Sequence, residues 1–473
     1  MQQNSLQPQS VFIPLNELDK LFFTWELLGY QAMARILFEF SGGKIDLELL
    51  RQSYVAEIKR RPVLNARIDD NAPGKNWQVR WKLRDEIDAV HAVHMSDFSA
   101  LSPDAAEEKI RQLQFNPFTD FSLRTDAAFF LELCRMPGDK WKLLAFIHHA
   151  LADGYGISLI LEELFATYNQ LIEGQNIDTS GIEIVAALPS PLLPKNRGEL
   201  FKRFFGAIIF LSRLIIKARF TPAAKVAYGS HTFRAATFAV QRTITRERLS
   251  RYLAAAKRGG ITFNILLVAA QATTIERWKR SRGEPCGIIN IDVHQNLRTQ
   301  PAELQELSNK FSPFIIPIKS ADRRDPKTLL RYLQNMQEQA TRDRIAQKMI
   351  TFLYLLDTRI GRKTQRLWQN LIFNNPLFGD SSSVSNIGKM WADSDGSTRI
   401  TQLGDAEITA CYIAGPPIPS IGNYFGYLTY NDSLFIIFNY FEWAMTTDEA
   451  CRFVDLFEEI LEELVGYIEA EIK

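Results

Sequence analysis

The stretch Trp141 to Gly174, WKLLAFIHHALADGYGISLILEELFATYNQLIEG, constrains the fold more than any other part of the chain. Leu143 to Ile147 is an apolar run short enough for a buried strand. The run breaks at His148-His149-Ala150-Leu151-Ala152-Asp153-Gly154, and apolar residues then recur at Ile157, Ile160, Leu161, Leu164, Phe165, Tyr168, Leu171 and Ile172. That spacing predicts a helix with one wide apolar face. Two histidines, an aspartate and a glycine therefore share one turn between a core strand and a core helix.

Successive strand residues point to opposite faces, so His148 and His149 cannot serve one site in the same way. One can face a cleft as a base, because an imidazole titrates close enough to neutrality to take a proton from a hydroxyl, amine or thiol. The other is then structural. Asp153, past the turn, can hold it through an ion pair, and Gly154 omits a Cβ where the backbone turns sharply or packs closely. The alternative is a polar turn with two hydrogen-bonded histidines and no chemistry.

Read in order, the chain alternates strands and helices. Pro14 to Leu28 is apolar-rich, Ala34 to Phe40 is strand-like, Ser41-Gly42-Gly43-Lys44 is a turn, and Asp46 caps a helix that starts LELLRQSYVAEIKRRPVL, keeps its spacing to Arg61 and is closed by Pro62. Leu64–Ile68, Trp77–Leu83, Ala89–His94 and Ala127–Cys134 are expected as strands, and Pro103–Phe115 as a helix. His91 and His94 have no cysteine or carboxylate cluster beside them, so they are read as a surface pair. After residues 181 to 232, the pattern resumes with a strand to Val240, a helix over Thr245–Lys257, and a second helix capped by Thr262. Strands follow at Gly287–Val293 and Phe314–Ile318, then a helical span capped by Asp325 and running through about Asp357, and the strand SSSVSNIG, Ser381 to Gly388. Asn431-Asp432 reads as a hairpin turn before the alternating FIIFNYFEW, and a helix over Thr446–Ile472 closes the chain.

His148-His149-x-x-x-Asp153-Gly154 resembles the HHxxxDG motif of the chloramphenicol acetyltransferase-like superfamily, which includes condensation domains, wax ester synthases and related acyltransferases. Flanking segments are similar too. Arg60-Arg61-Pro62-Val63-Leu64-Asn65-Ala66 resembles an RHxxLR-type segment, with Arg61 replacing its histidine and Asn65 its later arginine. The Thr262-x-Asn264 start of a long apolar helix, Arg298 after a strand, and Ser385-Asn386-x-Gly388 also match. A DFGWG-type latch is absent, and Ile387-Gly388-Lys389 departs from the proline-containing form of wax ester synthases.

The resemblance, which covers nearly the whole chain, implies an α+β fold of two lobes, each a mixed sheet flanked by helices, with a channel between them. Residues 1–180 form the first lobe, 181–232 a crossover, and 233–473 the second lobe. It implies an acyltransferase in which His149 is the general base. His148, Asp153, Gly154, Arg60 and Arg298 are structural at the site, with Arg60 the first candidate partner for Asp153 and Arg298 the second. Ser385 and Asn386 either contact substrate or an oxyanion, or form an ordinary polar strand end. His294 is either a second ring at the cleft or a hydrogen-bonded strand-end histidine. No bound cofactor or metal is implied. The co-substrate is acyl-CoA or a phosphopantetheinyl acyl carrier protein; the sequence does not fix the acceptor, for which an alcohol, lipidic if the crossover helix meets a membrane, is preferred to an amine. A silent carrier- or lipid-binding relative is the reading from a different class.

The charge balance, 55 Lys+Arg against 54 Asp+Glu, supplies no field for nucleic acid. Four well-separated cysteines are read as reduced thiols of a cytoplasmic protein. No apolar stretch is long enough to span a bilayer, and MQQNSLQPQS lacks the features of a signal peptide. In the crossover, GELFKRFFGAIIFLSRLIIKARF is a basic apolar helix. Lys202, Gly206, Arg213 and Lys217 lie on one stripe, and over 199–220 the helix either lies in a membrane interface or packs between the lobes.

Overall fold

The computed structural model describes residues 12–27, 29–30, 32–70, 79–115, 121–180, 193–194, 196–219, 223–226, 236–298, 304–359, 381–416 and 421–471. Two six-stranded mixed sheets organise the chain. The first runs in the order β12 (Gln402–Leu403), β13 (Ala406–Ala414), β2 (Met33–Ser41), β7 (Lys140–His148), β6 (Phe129–Met136), β5 (Val93–Asp97). The second runs β10 (Phe311–Ile318), β9 (Ile289–Asn296), β11 (Ser382–Lys389), β14 (Asn423–Tyr430), β15 (Ser433–Phe441), β8 (Thr237–Ile244). A small third sheet joins β1 (Phe12–Pro14), β4 (Arg80–Lys82) and β3 (Arg67–Asp69).

In the first lobe β7 sits between β2 and β6 and is buried through most of its length, which explains its unbroken apolar run. Its last residues are held on both sides: His148 N donates to Ala128 O and His149 N to Ala32 O. The helix Gly154–Ile172 packs its apolar face against the helix Leu47–Arg60, and the Tyr168 hydroxyl accepts from Asp46 N. In the second lobe the helices Arg246–Arg258, Phe263–Ser281 and Thr447–Glu471 cover one sheet face. Val240, Ile291, Val384, Phe425 and Phe438 interlock with them there.

Local capping follows the sequence closely. Asp46 accepts from Glu48 N and Leu49 N, Thr262 from Ile265 N, and Asp325 from Thr328 N. Asn431 and Asp432 both take positive φ, as a two-residue hairpin turn between β14 and β15 requires.

Several expectations need correction. Strands β12 and β13 lie within the range assigned to the second lobe, yet they extend the first sheet: Ile408 to Ala414 pair with β2. One strand of the later half thus ties the lobes together, and Leu428, Tyr430, Phe435 and Ile437 join the first core through it. Ala89–Ala92 is a helical turn rather than a strand, because Asp88 caps His91 N; the strand begins at Val93. Leu64 lies in a 3-10 turn, Pro62–Asn65, and the strand is only Arg67–Asp69. The span from Asp325 is two helices, Pro326–Arg342 and Ile345–Arg359, separated where Arg344 adopts positive φ. Trp77 and 232–235 lie outside the described residues, as does much of the crossover.

The crossover helix, Arg197–Arg219, lies against Ile345–Arg359, with Phe204 stacked on Phe352 and Ala207 buried. Its outer face carries Phe201, Phe205, Ile209 and Ile216, all exposed, beside exposed Lys202 and Arg213. The side chains of Leu214, Ile215 and Lys217 lie outside what is described. Among the described residues no single helix is long and apolar enough to cross a membrane.

Candidate active site

The motif turn is closed by its own aspartate. Asp153 caps the helix Gly154–Ile172 by accepting from Gly156 N through Oδ1 at 3.0 Å. Its Oδ2 accepts from Arg298 at 2.7 Å and from Lys310 N at 2.8 Å. The pair is buried, with the Arg298 side chain 1% and the Asp153 side chain 4% exposed. Arg298 also donates to the carbonyls of Glu306 and Ser308 and lies over the Tyr155 ring. One carboxylate thus joins the motif turn to both ends of the loop between β9 and β10.

The first candidate partner for Asp153, Arg60, is elsewhere. It pairs with Glu57 at 2.6 Å and donates to the Asp178 carbonyl, because the last turn of its helix faces Thr167 rather than the motif turn. Its neighbour Arg61, which replaces the motif histidine, forms a two-pronged pair with Glu163 and reaches the Gln305 carbonyl. This segment braces the motif helix without meeting the histidines.

His148 and His149 separate as alternation requires. His148 is buried, its Nδ1 accepts from Ala150 N, and its Nε2 lies 3.4 Å from Glu26. Loss of water around the ring, with His149 adding to it, pushes its pKa down to about 3. Burial pushes the Glu26 carboxyl up to about 7, against the Leu123 amide, Ser122 and Arg124.

His149 is half-buried and stacked on Phe22, ring centroids 4.0 Å apart, with Phe311 at 5.9 Å. Asn309 holds it. The Asn309 Nδ2 donates to the His149 carbonyl at 2.7 Å and to Asp19 Oδ1 at 2.7 Å, which fixes the orientation of the amide. The amide oxygen then faces His149 Nδ1 at 3.0 Å. An oxygen can only accept, so Nδ1 carries the hydrogen and Nε2 keeps its lone pair. Loss of water lowers the His149 pKa to about 4, against the opposing pull of Asp153, its own carbonyl and Asn309. The ring is therefore neutral at neutral pH.

Sequence reading missed Asn309, the residue that sets the tautomer, because nothing local distinguishes it. It also missed Gly156. A Cβ there would lie 2.5 Å from the Leu307 carbonyl oxygen, whereas at Gly154 it would meet only the Ile387 side chain at 3.1 Å. The β9–β10 loop presses directly on the start of the motif helix.

Ser385 and Asn386 lie on β11, whose Ile387 reaches Gly154. Rings connect Ser385 to His149: Phe311 lies between His149 and His294, and His294 is 6.4 Å from Tyr424, whose hydroxyl Ser385 contacts. Asn386 Oδ1 accepts from Gly388 N at 3.0 Å, and its pairing with Tyr427 turns it, like Val384, to the face opposite Ser385.

Two outcomes follow. Arg298→Met should destabilise the protein by roughly 3–5 kcal/mol, because it strands a buried carboxylate; Arg60→Met should cost clearly less, and urea midpoints compare them. For His148, a folded pKa below the unfolded value means that stability falls as pH drops from about 6.5 towards about 3. Glu26 acts in the opposite sense, losing stability as pH rises from 4.5 to about 7, and does so in wild type and variant alike. The stability deficit of His148→Gln should therefore shrink by about 2 kcal/mol between pH 8 and pH 5.

Comparison with known proteins bears on the fold. Residues 32–183 match the family model of the Condensation domain. A plipastatin synthase polypeptide of Bacillus subtilis (strain 168) is 24% identical over 301 residues, which is 62% of this chain and 11% of that protein. The chain thus spans about a tenth of that relative's length. A trichothecene 15-O-acetyltransferase from Fusarium sporotrichioides superposes with a TM-score of 0.71 at 10% identity, covering 98% of this chain and 97% of that one. The starter condensation domain of rhizomide synthetase, solved with C8-CoA, superposes with a TM-score of 0.66 at 14% identity over 96% and 95%. These structures share the fold along essentially the whole chain. Together, the match over 32–183 and these superpositions show a condensation-domain-like fold, one that is shared with an acetyltransferase.

Proposed function

We propose that this protein is an acyltransferase that moves an acyl group from a thioester, on coenzyme A or a carrier protein, to a hydroxyl acceptor. One observation carries the reading: His149 is held as a neutral imidazole with Nε2 open. Nε2 takes the proton of the acceptor O–H as its oxygen attacks the thioester carbonyl. The carbonyl π pair moves to oxygen, and Ser385 of β11, on the face turned to the first lobe, is the candidate donor to that oxyanion. When the intermediate collapses, the C–S bond breaks and the thiolate recovers the proton from Nε2. An ester and a free thiol result. Asp153 and Arg298 fix the turn and do not touch substrate.

Transfer to an amine is the second reading, and the Condensation-domain match over 32–183 favours it. The same base and the same steps serve it, with an amide as product. Intact-mass analysis after incubation with acyl-CoA or acyl carrier, and a panel of alcohols and amines, decides between the two. His149→Ala should lower turnover about 10²–10⁴-fold without unfolding the protein. Near-full turnover by that variant would overturn the assignment of the base, and no product with any acceptor would favour a silent relative.

The exposed apolar stripe of the crossover helix, flanked by Lys202 and Arg213, supports a second part of the proposal: peripheral contact with anionic lipid. Wild type should pellet with vesicles containing anionic lipid, and Phe205→Asp/Ile209→Asp should remain in the supernatant. Equal partitioning of both would leave the helix as packing alone.

A further inference from the structure

The second sheet has two unlike faces. Ile289, Ile291 and Val293 of β9, Val384 of β11, Phe425 and Tyr427 of β14, and Phe438 and Tyr440 of β15 all enter the second core beneath the helices. Alternation turns their neighbours to the opposite face. That face meets the first lobe, since Leu428, Phe435 and Ile437 on it belong to the first core.

Across this face the register aligns one row of side chains. Asp292 pairs with Ser383, Ser383 with Tyr424, and Tyr424 with Asn439. A single row across four neighbouring strands is thus polar throughout, on a face that is apolar towards the β13 crossing. The row spans three strand spacings, about 14 Å.

Two atoms in the row have no partner among the described residues. Asp292 is 3% exposed; its Oδ2 meets His294 Nε2 at 3.2 Å and Ser383 at 3.4 Å, while no described group donates to its Oδ1. Asn439 is 2% exposed, and its Nδ2 has no described acceptor. Leaving such groups unmet in a buried place is costly, so their retention points to a ligand that completes them. His294 places this row at the candidate site. It is bonded to Asp292, its side chain is 20% exposed, and its ring touches Phe311, which also touches His149.

We propose that this row is the subsite for a polar head on the acyl acceptor, with Asp292 Oδ1 accepting from an ammonium or hydroxyl of the bound molecule. Asn439 Nδ2 donates to an oxygen farther along it. A carboxylate that already has one oxygen engaged by His294 and Ser383 fits a cationic amine best, so amino alcohols and related amino-bearing acceptors are the favoured class and plain alkanols are disfavoured. The inference rests on the acyl-transfer reading for the word acceptor; the binding preference does not.

The test separates the two. Wild type without any thioester is titrated with 5-amino-1-pentanol, 1,5-pentanediol and 1-hexanol, with binding followed by ligand-observed NMR. The amino alcohol should bind about tenfold or more tightly than hexanol, with the diol between them. Asp292→Asn should remove that advantage and leave hexanol unchanged. Asn439→Leu, which keeps the carboxylate, should weaken the diol and amino alcohol to a lesser degree. Urea midpoints establish that both variants fold; should Asp292→Asn not fold, the wild-type ranking and Asn439→Leu decide. Equal binding of the three ligands by wild type, or an unchanged preference in folded Asp292→Asn, would overturn the proposal. Failure of acyl transfer with every acceptor would instead overturn the reading of the function, leaving the binding preference intact.

Discussion

Everything at the centre of this molecule depends on one buried carboxylate with three partners. Asp153 begins the motif helix through Gly156 N, and its other oxygen takes Arg298 and Lys310 N from the second lobe. Removing a single member of such an arrangement leaves a charge without compensation in a dry place. Because Arg298 and Lys310 flank the loop from β9 to β10, the same carboxylate fixes Asn309, which lies next to Lys310 and holds His149. The ion pair is therefore structural in its contacts, while its consequence is chemical: it sets where an imidazole nitrogen stands.

Burial has opposite consequences for the two histidines. Both rings are kept neutral by loss of water. For His148, between Glu26 and Phe121 in the first core, neutrality secures packing. For the half-buried His149 it leaves an unprotonated Nε2 on a ring stacked on Phe22, which cannot turn without losing that contact. Lowering the pKa weakens the imidazole as a base in the thermodynamic sense. It also keeps nearly every molecule in the form able to accept a proton.

What the sequence made legible is what depends on near neighbours. The strand–turn–helix of 141–174, the caps at Asp46, Thr262 and Asp325, and the Asn431-Asp432 turn all rest on contacts a few residues apart. What stayed hidden depends on distant parts of the chain. Arg60 reads as the first partner for Asp153 and Arg298 as the second until the β9–β10 loop is seen against the motif turn, which reverses the order. Asn309 looks like any loop asparagine, and β13 like any strand of the second lobe, until their partners at His149 and β2 are known. The polar row from Asp292 to Asn439 exists only through the register of four strands drawn from separate parts of the chain.

The central claim is that this framework delivers His149 as a neutral imidazole protonated at Nδ1 and open at Nε2. Long-range proton–nitrogen NMR on protein labelled with 15N-histidine reads this directly, with His149→Ala assigning the signal. The account predicts the Nδ1–H tautomer at pH 7, unchanged on acidification to pH 6, with titration only towards about 4. A His149 signal in the Nε2–H form, or an imidazolium already present at pH 6, would contradict it.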